Sequence, residues 1–299
     1  MDGYFAYIAR RLDSIRLSPD GEPTMFREVK SRDLWRAVLA EFVATMLFVF
    51  IGTMSAVPLV PVGGAAQYVR VAFTFGFMIA TLIQMFGHIS GAHMNPAVTM
   101  AMMVTLSISP LRGILYIIAQ CSGGILGSLI LKTVTPSRLH SDLGMTTLSN
   151  DLDAGQGFGC ELVFTFILVM SILGCTDNNR PMFGSPAVGI GITITVVHLA
   201  AIPFTGASMN PARSLGSAVV SDFYENHWIY WVGPIVGGLL AGLAYKFVFD
   251  PYRGALTYQE AANSMMGSSD VIILPKSYYK SEEMKNGGMD SFKIQSDNL

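Results

Sequence analysis

His88-Ile89-Ser90-Gly91-Ala92-His93-Met94-Asn95-Pro96-Ala97-Val98-Thr99 and Thr205-Gly206-Ala207-Ser208-Met209-Asn210-Pro211-Ala212-Arg213-Ser214 are two versions of one string, 115 positions apart. Asn is a leading N-cap residue, and Pro suits the first helical position because its missing N–H would be unpaired there anyway. Each string therefore reads as an irregular, small-residue approach followed by a helix start at Asn95-Pro96 or Asn210-Pro211. From Pro96 to about Val104 the first helix is roughly 14 Å long at 1.5 Å per residue, half the thickness of a bilayer's hydrocarbon. Each insert is a half-helix.

The surroundings make a membrane the solvent. The chain has 299 residues, 51% hydrophobic and 13% charged, with a net charge of -2. Residues 37–245 hold 14 of its 40 Asp, Glu, Lys and Arg side chains, and 71–111 and 181–212 hold none. Runs of that length exceed the ~20 apolar residues of one span. The balance offers no basic face for nucleic acid, and that partner is excluded. Six spans are expected over 36–57, 69–87, 112–131, 157–175, 185–203 and 228–249, each helical because lipid offers no partner to an unpaired backbone group. The expected fold class is an all-α membrane protein with six transmembrane helices and two re-entrant half-helices, over 88–109 and 205–220.

The duplication extends beyond the boxes. Glu41-Phe42-Val43-Ala44-Thr45 answers Glu161-Leu162-Val163-Phe164-Thr165, and Tyr116 with Gly123-Gly124 answers Tyr230 with Gly237-Gly238. Each repeat, about 35–133 and about 155–250, contains three spans, an odd number, so the second enters the membrane inverted relative to the first. The two half-helix N-termini then meet near the midplane, each with about half a positive charge and unpaired N–H donors. With each Asn oxygen capping its own helix, the NH₂ groups of Asn95 and Asn210 remain as donors toward whatever passes. Water there must accept and turn its hydrogens outward both ways, which interrupts proton transfer along a file.

Arg27, Lys30, Arg32 and Arg36 crowd the entrance to the first span, so the positive-inside bias puts the N-terminal segment 1–34 in the cytoplasm, and six spans return the C-terminus there. No cleavable signal peptide is read in 1–30, and the first span directs insertion. Residues 251–299, with Ser268-Ser269, Ser277 and the apolar string 271–274, read as a mostly disordered cytoplasmic tail. The connection 132–157 is expected outside, without an N-glycosylation acceptor in the chain. Cys121, Cys160 and Cys175 lie in apolar stretches and suggest no disulfide framework. Gly123, Gly124, Gly127, Gly237, Gly238 and Gly242 suit close helix approach. His88 and His93 have no third ligand of soft or acidic type, so no metal is expected, nor any cofactor.

From the two boxes outward, over nearly all of residues 35–250, the sequence resembles the aquaporin (major intrinsic protein) family, with paired Asn-Pro-Ala boxes at Asn95-Pro96-Ala97 and Asn210-Pro211-Ala212. The stretch Glu225-Asn226-His227-Trp228-Ile229-Tyr230-Trp231-Val232-Gly233-Pro234 is most similar to the animal water-selective, brain-type branch. The resemblance implies an outer selectivity filter of Phe75, His198, Ala207 and Arg213, and assigns Glu41 and Glu161 to holding the irregular segments. Repeat one has Val98 where repeat two has Arg213, so the fixed cation lies on one side of the midplane only. A guanidinium at that depth needs carbonyls or water nearby.

Family members that pass glycerol generally have a small residue in place of the filter His and an Asp after the Arg; His198 and Ser214 imply water. Ala207 stands where mercury-sensitive members have Cys, and Leu215 and Ser217 depart from the Phe and Pro usual in this branch. The expectation is a passive, single-file water channel in the plasma membrane, a homotetramer by resemblance, that excludes protons and ions. Alternatives are a pore also passing glycerol, urea or peroxide, and a non-conducting junctional protein. An enzyme is not expected, because no nucleophile, general base and orienting group assemble in these spans.

Overall fold

The computed structural model describes residues 24–59, 63–140, 143–177 and 184–249; the expected tail over 251–299 and most of the segment 1–34 lie outside them. Among the described residues regular structure is helical, with no strand. A short helix α1 (Thr24–Lys30) precedes α2 (Arg32–Met54), α3 (Ala65–Ser90), the half-helix α4 (Pro96–Val104) and α5 (Pro110–Val134). After a 3-10 turn at Ser137–Leu139 come α6 (Ala154–Cys175), α7 (Pro186–Thr205), the second half-helix α8 (Pro211–Ser221) and α9 (Ile229–Ala244), which continues as a π-helical turn over Tyr245–Phe249. Six of these, α2, α3, α5, α6, α7 and α9 with its final turn, are long and apolar enough to cross a bilayer.

Most of these helices outrun the hydrophobic spans read from the sequence, and at three N-termini a capping side chain lies beyond the apolar run. α2 starts at Arg32, four residues before the expected 36, where Ser31 Oγ accepts from Asp33 N at 3.2 Å. It also ends at Met54, short of the expected 57. α5 starts at Pro110 on the Ser109 cap, and α6 at Ala154 on a capping box of Asp153 with Gln156. The fifth span was expected to stop at 203, yet α7 runs two residues past Pro203 to Gly206, whose φ of 75° forms a left-handed cap. Proline disturbs the turn before it, leaving residues after it free to continue.

The packing partners have the symmetry expected of inverted halves. α2 packs on α5 and α6 on α9, while α3 meets its counterpart α7; α8 lies on α5 and α4 on α9, so each half-helix rests on the last span of the other repeat. Glycine makes these approaches possible. A Cβ on Gly124 of α5 would run into the Ala212 carbonyl oxygen, and one on Gly238 of α9 would lie 2.8 Å from the Ala97 carbonyl oxygen. Gly123 and Gly127 face α2 backbone and Gly237 faces α6 backbone in the same manner, whereas Gly242 has the looser fit. Because backbone cannot step aside, Gly124→Val should destabilise the fold by about 3 kcal/mol or more. Gly159→Ala, with nothing within 4 Å of the added Cβ, is the control. Thermal midpoints of the purified variants, read by tryptophan fluorescence, check both.

Candidate functional site

Each insert leaves its span through the same sequence of backbone conformations. Gly91, Ala92 and Met94 have φ of 88°, 49° and 51°, and Gly206, Ala207 and Met209 have 75°, 54° and 51°. A non-glycine residue at positive φ costs of order 1 kcal/mol or more, so something must hold four of them. The holders are two fully buried carboxylates. Glu41 Oε1 accepts from His93 N at 2.9 Å and Ser90 Oγ at 2.6 Å, and its Oε2 accepts from Met94 N at 2.7 Å and Gln120 Nε2 at 2.8 Å. Glu161 Oε1 accepts from Ser208 N at 2.9 Å and Thr205 Oγ1 at 2.7 Å, and its Oε2 from Met209 N at 2.7 Å. Tyr116 and Tyr230 close each entrance by donating to Ser90 O at 2.9 Å and Thr205 O at 3.0 Å.

The caps are built as the residue types dictate. Asn95 Oδ1 accepts from Ala97 N at 2.9 Å, and Asn210 Oδ1 accepts from Ala212 N at 3.0 Å and Arg213 N at 3.3 Å, with Pro96 and Pro211 at the first helical positions. The amide groups depart in part from the sequence reading, which left both NH₂ groups to the passing solute. Asn95 Nδ2 donates to Met209 O and Asn210 Nδ2 to Met94 O, both at 2.8 Å. One hydrogen of each amide thus ties the two boxes together, and one remains, since an NH₂ group carries two. A cavity of about 240 Å³ is lined by both Asn residues and by residues 91–94 and 208–209. It extends along α7 from Pro186 to His198, about 18 Å of helix axis at 1.5 Å per residue. Its remaining wall is largely aliphatic and aromatic, including Phe48, Ile79, Leu168 and Ile190.

At the His198 end three of the four filter candidates converge. The rings of Phe75 and His198 stack with centroids 4.7 Å apart, and the Arg213 guanidinium carbon lies 5.3 Å from the Phe75 centroid. Phe48 meets Phe75 edge-on at 5.4 Å. Neither Phe75 nor Arg213 lines the cavity, whose wall reaches this group only at His198. Ala207 is fully buried at the start of the second insert. His198 Nδ1 lies 3.0 Å from Ile194 O, and because a carbonyl only accepts, Nδ1 carries the proton and the neutral ring's Nε2 is an acceptor. Nε2 of His198 and Nε of Arg213 are buried and have no hydrogen-bond partner among the described residues. Arg213 Nη1 donates to Gly144 O at 2.8 Å, so the cation is held by a carbonyl and by no carboxylate within ion-pair distance among the described residues.

Several residues here escaped the sequence reading. Gly144 and Thr146 come from the 132–157 connection, which folds back onto the second insert: Thr146 Oγ1 donates to Ser214 Oγ at 2.8 Å, and Ser214 and Ser208 hydroxyls lie 2.6 Å apart. No local pattern announces that contact. Gln120 was findable, being an amide in the middle of an apolar span; its Nε2 also donates to Thr99 Oγ1 at 2.9 Å. His93 Nδ1 lies 3.1 Å from Thr99 Oγ1, which gives that imidazole a neighbour within its own insert.

The family profile "Major intrinsic protein" matches residues 28–245. Aquaporin-4 of Mus musculus is 44% identical over 270 residues, covering 87% of this chain and 83% of the relative. Aquaporin-4 of Bos taurus is 48% identical over 254 residues (81% and 78%), and aquaporin-1 of Homo sapiens 46% over 239 residues (78% and 89%). In fold alone, the chain is similar to the solved structure of an aquaglyceroporin from Plasmodium falciparum, with a TM-score of 0.67 and 23% identity over 73% of this chain and 98% of that one. With a profile spanning most of the sequence and relatives this similar over most of their lengths, the chain belongs to the major intrinsic protein family, the aquaporins.

Proposed function

We propose that this chain is a passive channel through which water crosses a membrane in single file down an osmotic gradient, and that it is not an enzyme. The observation that carries the reading is the pair of Asn amides, each hydrogen-bonded to the opposite box at 2.8 Å and both on the wall of one cavity. A water between them accepts from the remaining N–H of Asn95 and of Asn210 and donates outward in both directions, so a proton cannot be handed along the file without rotating waters against two half-helix dipoles. Pro96, Ala97, Pro211 and Ala212 set those helix starts in place.

Farther out, the filter would act by size, charge and hydrogen bonding together. Phe75 supplies a wide apolar wall and Ala207 a small one; His198 Nε2 offers an acceptor and Arg213 Nε a donor, the complement of a molecule that both gives and takes hydrogen bonds. The fixed guanidinium repels cations, as is general for aquaporin-type pores. His198 in place of a small filter residue, and Ser214 in place of an Asp after the arginine, favour water over polyols by similarity to the family. Glu41 and Glu161 serve by fixing the inserts, not by relaying protons, since their oxygens are occupied by N–H and O–H donors.

Both termini are assigned to the cytoplasm from the basic cluster before α2, and the plasma membrane and a homotetramer with a pore in every subunit are assigned by similarity to the family. Stopped-flow light scattering on proteoliposomes tests the core of the proposal. Water permeability should rise well above protein-free vesicles while glycerol permeability stays at their level. Swelling no faster than the protein-free controls would favour a junctional role, and comparable glycerol entry would defeat the filter argument. In the same vesicles Asn95→Ala with Asn210→Ala should raise proton or cation leakage; unchanged leakage with the variant folded would remove the two amides from the exclusion mechanism.

A further inference from the structure

We infer that the corner between α1 and α2 is a binding site for the headgroups of anionic lipids. On α2 the inward face is formed by Leu34 and Ala37, both fully buried, which turns Arg32, Trp35, Arg36 and Leu39 outward as one stripe. Along it the chemistry changes toward the apolar span: Arg32 first, then Trp35 beside Arg36, then Leu39, 61% exposed at what would be the edge of the hydrocarbon. Trp35 donates its indole N–H to Val29 O at 2.8 Å, which fixes the angle between the helices and sets exposed Lys30 beside the stripe.

The acids nearby leave this charge in place. Glu28 is engaged with Arg112 at 3.0 Å and with Ser109 at 2.6 Å. Asp33 approaches Arg36 at 3.6 Å, but their side chains are 83% and 71% exposed, a pair that solvent screens and a phosphate can displace. Lys30 and Arg32 are exposed and make no ion pair among the described residues. Three cations around one interfacial tryptophan, against one loosely held carboxylate, match a phosphate-bearing lipid of net negative charge better than a zwitterionic one.

Trp35 is also the reporter. The purified full chain is reconstituted in phosphatidylcholine containing either brominated phosphatidylserine or brominated phosphatidylcholine, and tryptophan quenching is followed against mole fraction, with Trp35→Phe identifying the component due to this residue. Quenching of Trp35 should occur at roughly tenfold lower mole fraction of the anionic lipid. Lys30→Gln/Arg32→Gln/Arg36→Gln should abolish that preference while leaving water permeability unchanged, since none of the three lies in the pore. Equal quenching by both lipids, or a preference that survives the triple variant, would overturn the inference. So would loss of the preference on adding inorganic phosphate at matched ionic strength, which would assign the site to soluble anions.

Discussion

Glu161→Gln should strongly destabilise the folded protein, and it should be more damaging than Glu41→Gln. Glu161 is fully buried and accepts from Ser208 N, Met209 N and Thr205 Oγ1. A glutamine has one accepting atom fewer, so at best its NH₂ replaces Oε2 and meets the Met209 N–H head-on. That loses a charge-assisted bond and leaves two buried donors without acceptors, about 3–5 kcal/mol in all. Total stability is of order 5–15 kcal/mol for a protein, so the loss is a large part of it. It falls moreover on Met209, whose φ of 51° depends on that bond.

Glu41→Gln meets a different neighbour. Gln120 Nε2 donates to Glu41 Oε2, and Gln120 Oε1 is buried without a partner, so rotating the Gln120 amide presents an acceptor to the new NH₂. Repeat two has Pro234 at the position matching Gln120, counted from the Tyr116–Tyr230 and Gly124–Gly238 correspondences, and proline can make no such adjustment. Removal of one buried unsatisfied donor should make Glu41→Gln the milder variant by about 1–2 kcal/mol, several degrees in thermal midpoint. Size-exclusion profiles and melting of the two variants in detergent decide it; equal damage would mean that Gln120 does not adapt.

The second large effect is expected at the filter. Removing the imidazole stacked at 4.7 Å on Phe75 and the guanidinium 5.3 Å above it, in His198→Ala/Arg213→Val, takes away both the bulk and the cation at the cavity's end. Glycerol permeability should rise roughly tenfold or more, as when a pocket stops excluding a few extra atoms, while water still passes. Arg213→Val alone should chiefly raise cation and proton leakage. A unit charge a few ångströms from the path contributes about 4 kcal/mol in partly screened surroundings, equivalent to about 10²–10³ in rate. Swelling assays with each solute, and acidification of pH-dye-loaded vesicles, separate the effects. If glycerol remains excluded in the folded double variant, the constriction lies elsewhere.

Much of this was legible because the relevant signals are local or periodic. Length and charge depletion select a membrane fold, the repeated Asn-Pro start specifies two helix caps, and an odd number of spans per repeat inverts the second copy. Those inferences need no tertiary information, since capping and hydropathy act within a few residues. The span ends were misread by several residues because Ser31, Ser109 and Asp153 cap beyond the apolar runs. The 132–157 connection read only as a long outer loop, although it delivers the Gly144 carbonyl to Arg213 and the Thr146 hydroxyl to Ser214.

The amino-acid sequence by itself determined that six helices cross a bilayer, that two half-helices begin at Asn95 and Asn210, and that buried carboxylates at 41 and 161 need donors. Only the tertiary structure decided which donors those are, that each amide spends one hydrogen on the opposite box, and which carbonyl holds the guanidinium. Hydrogen bonds between residues more than a hundred positions apart, such as Asn95 with Met209 and Asn210 with Met94, depend on how two inverted halves dock. Close backbone packing sets that docking, and short-range preferences carry no record of it.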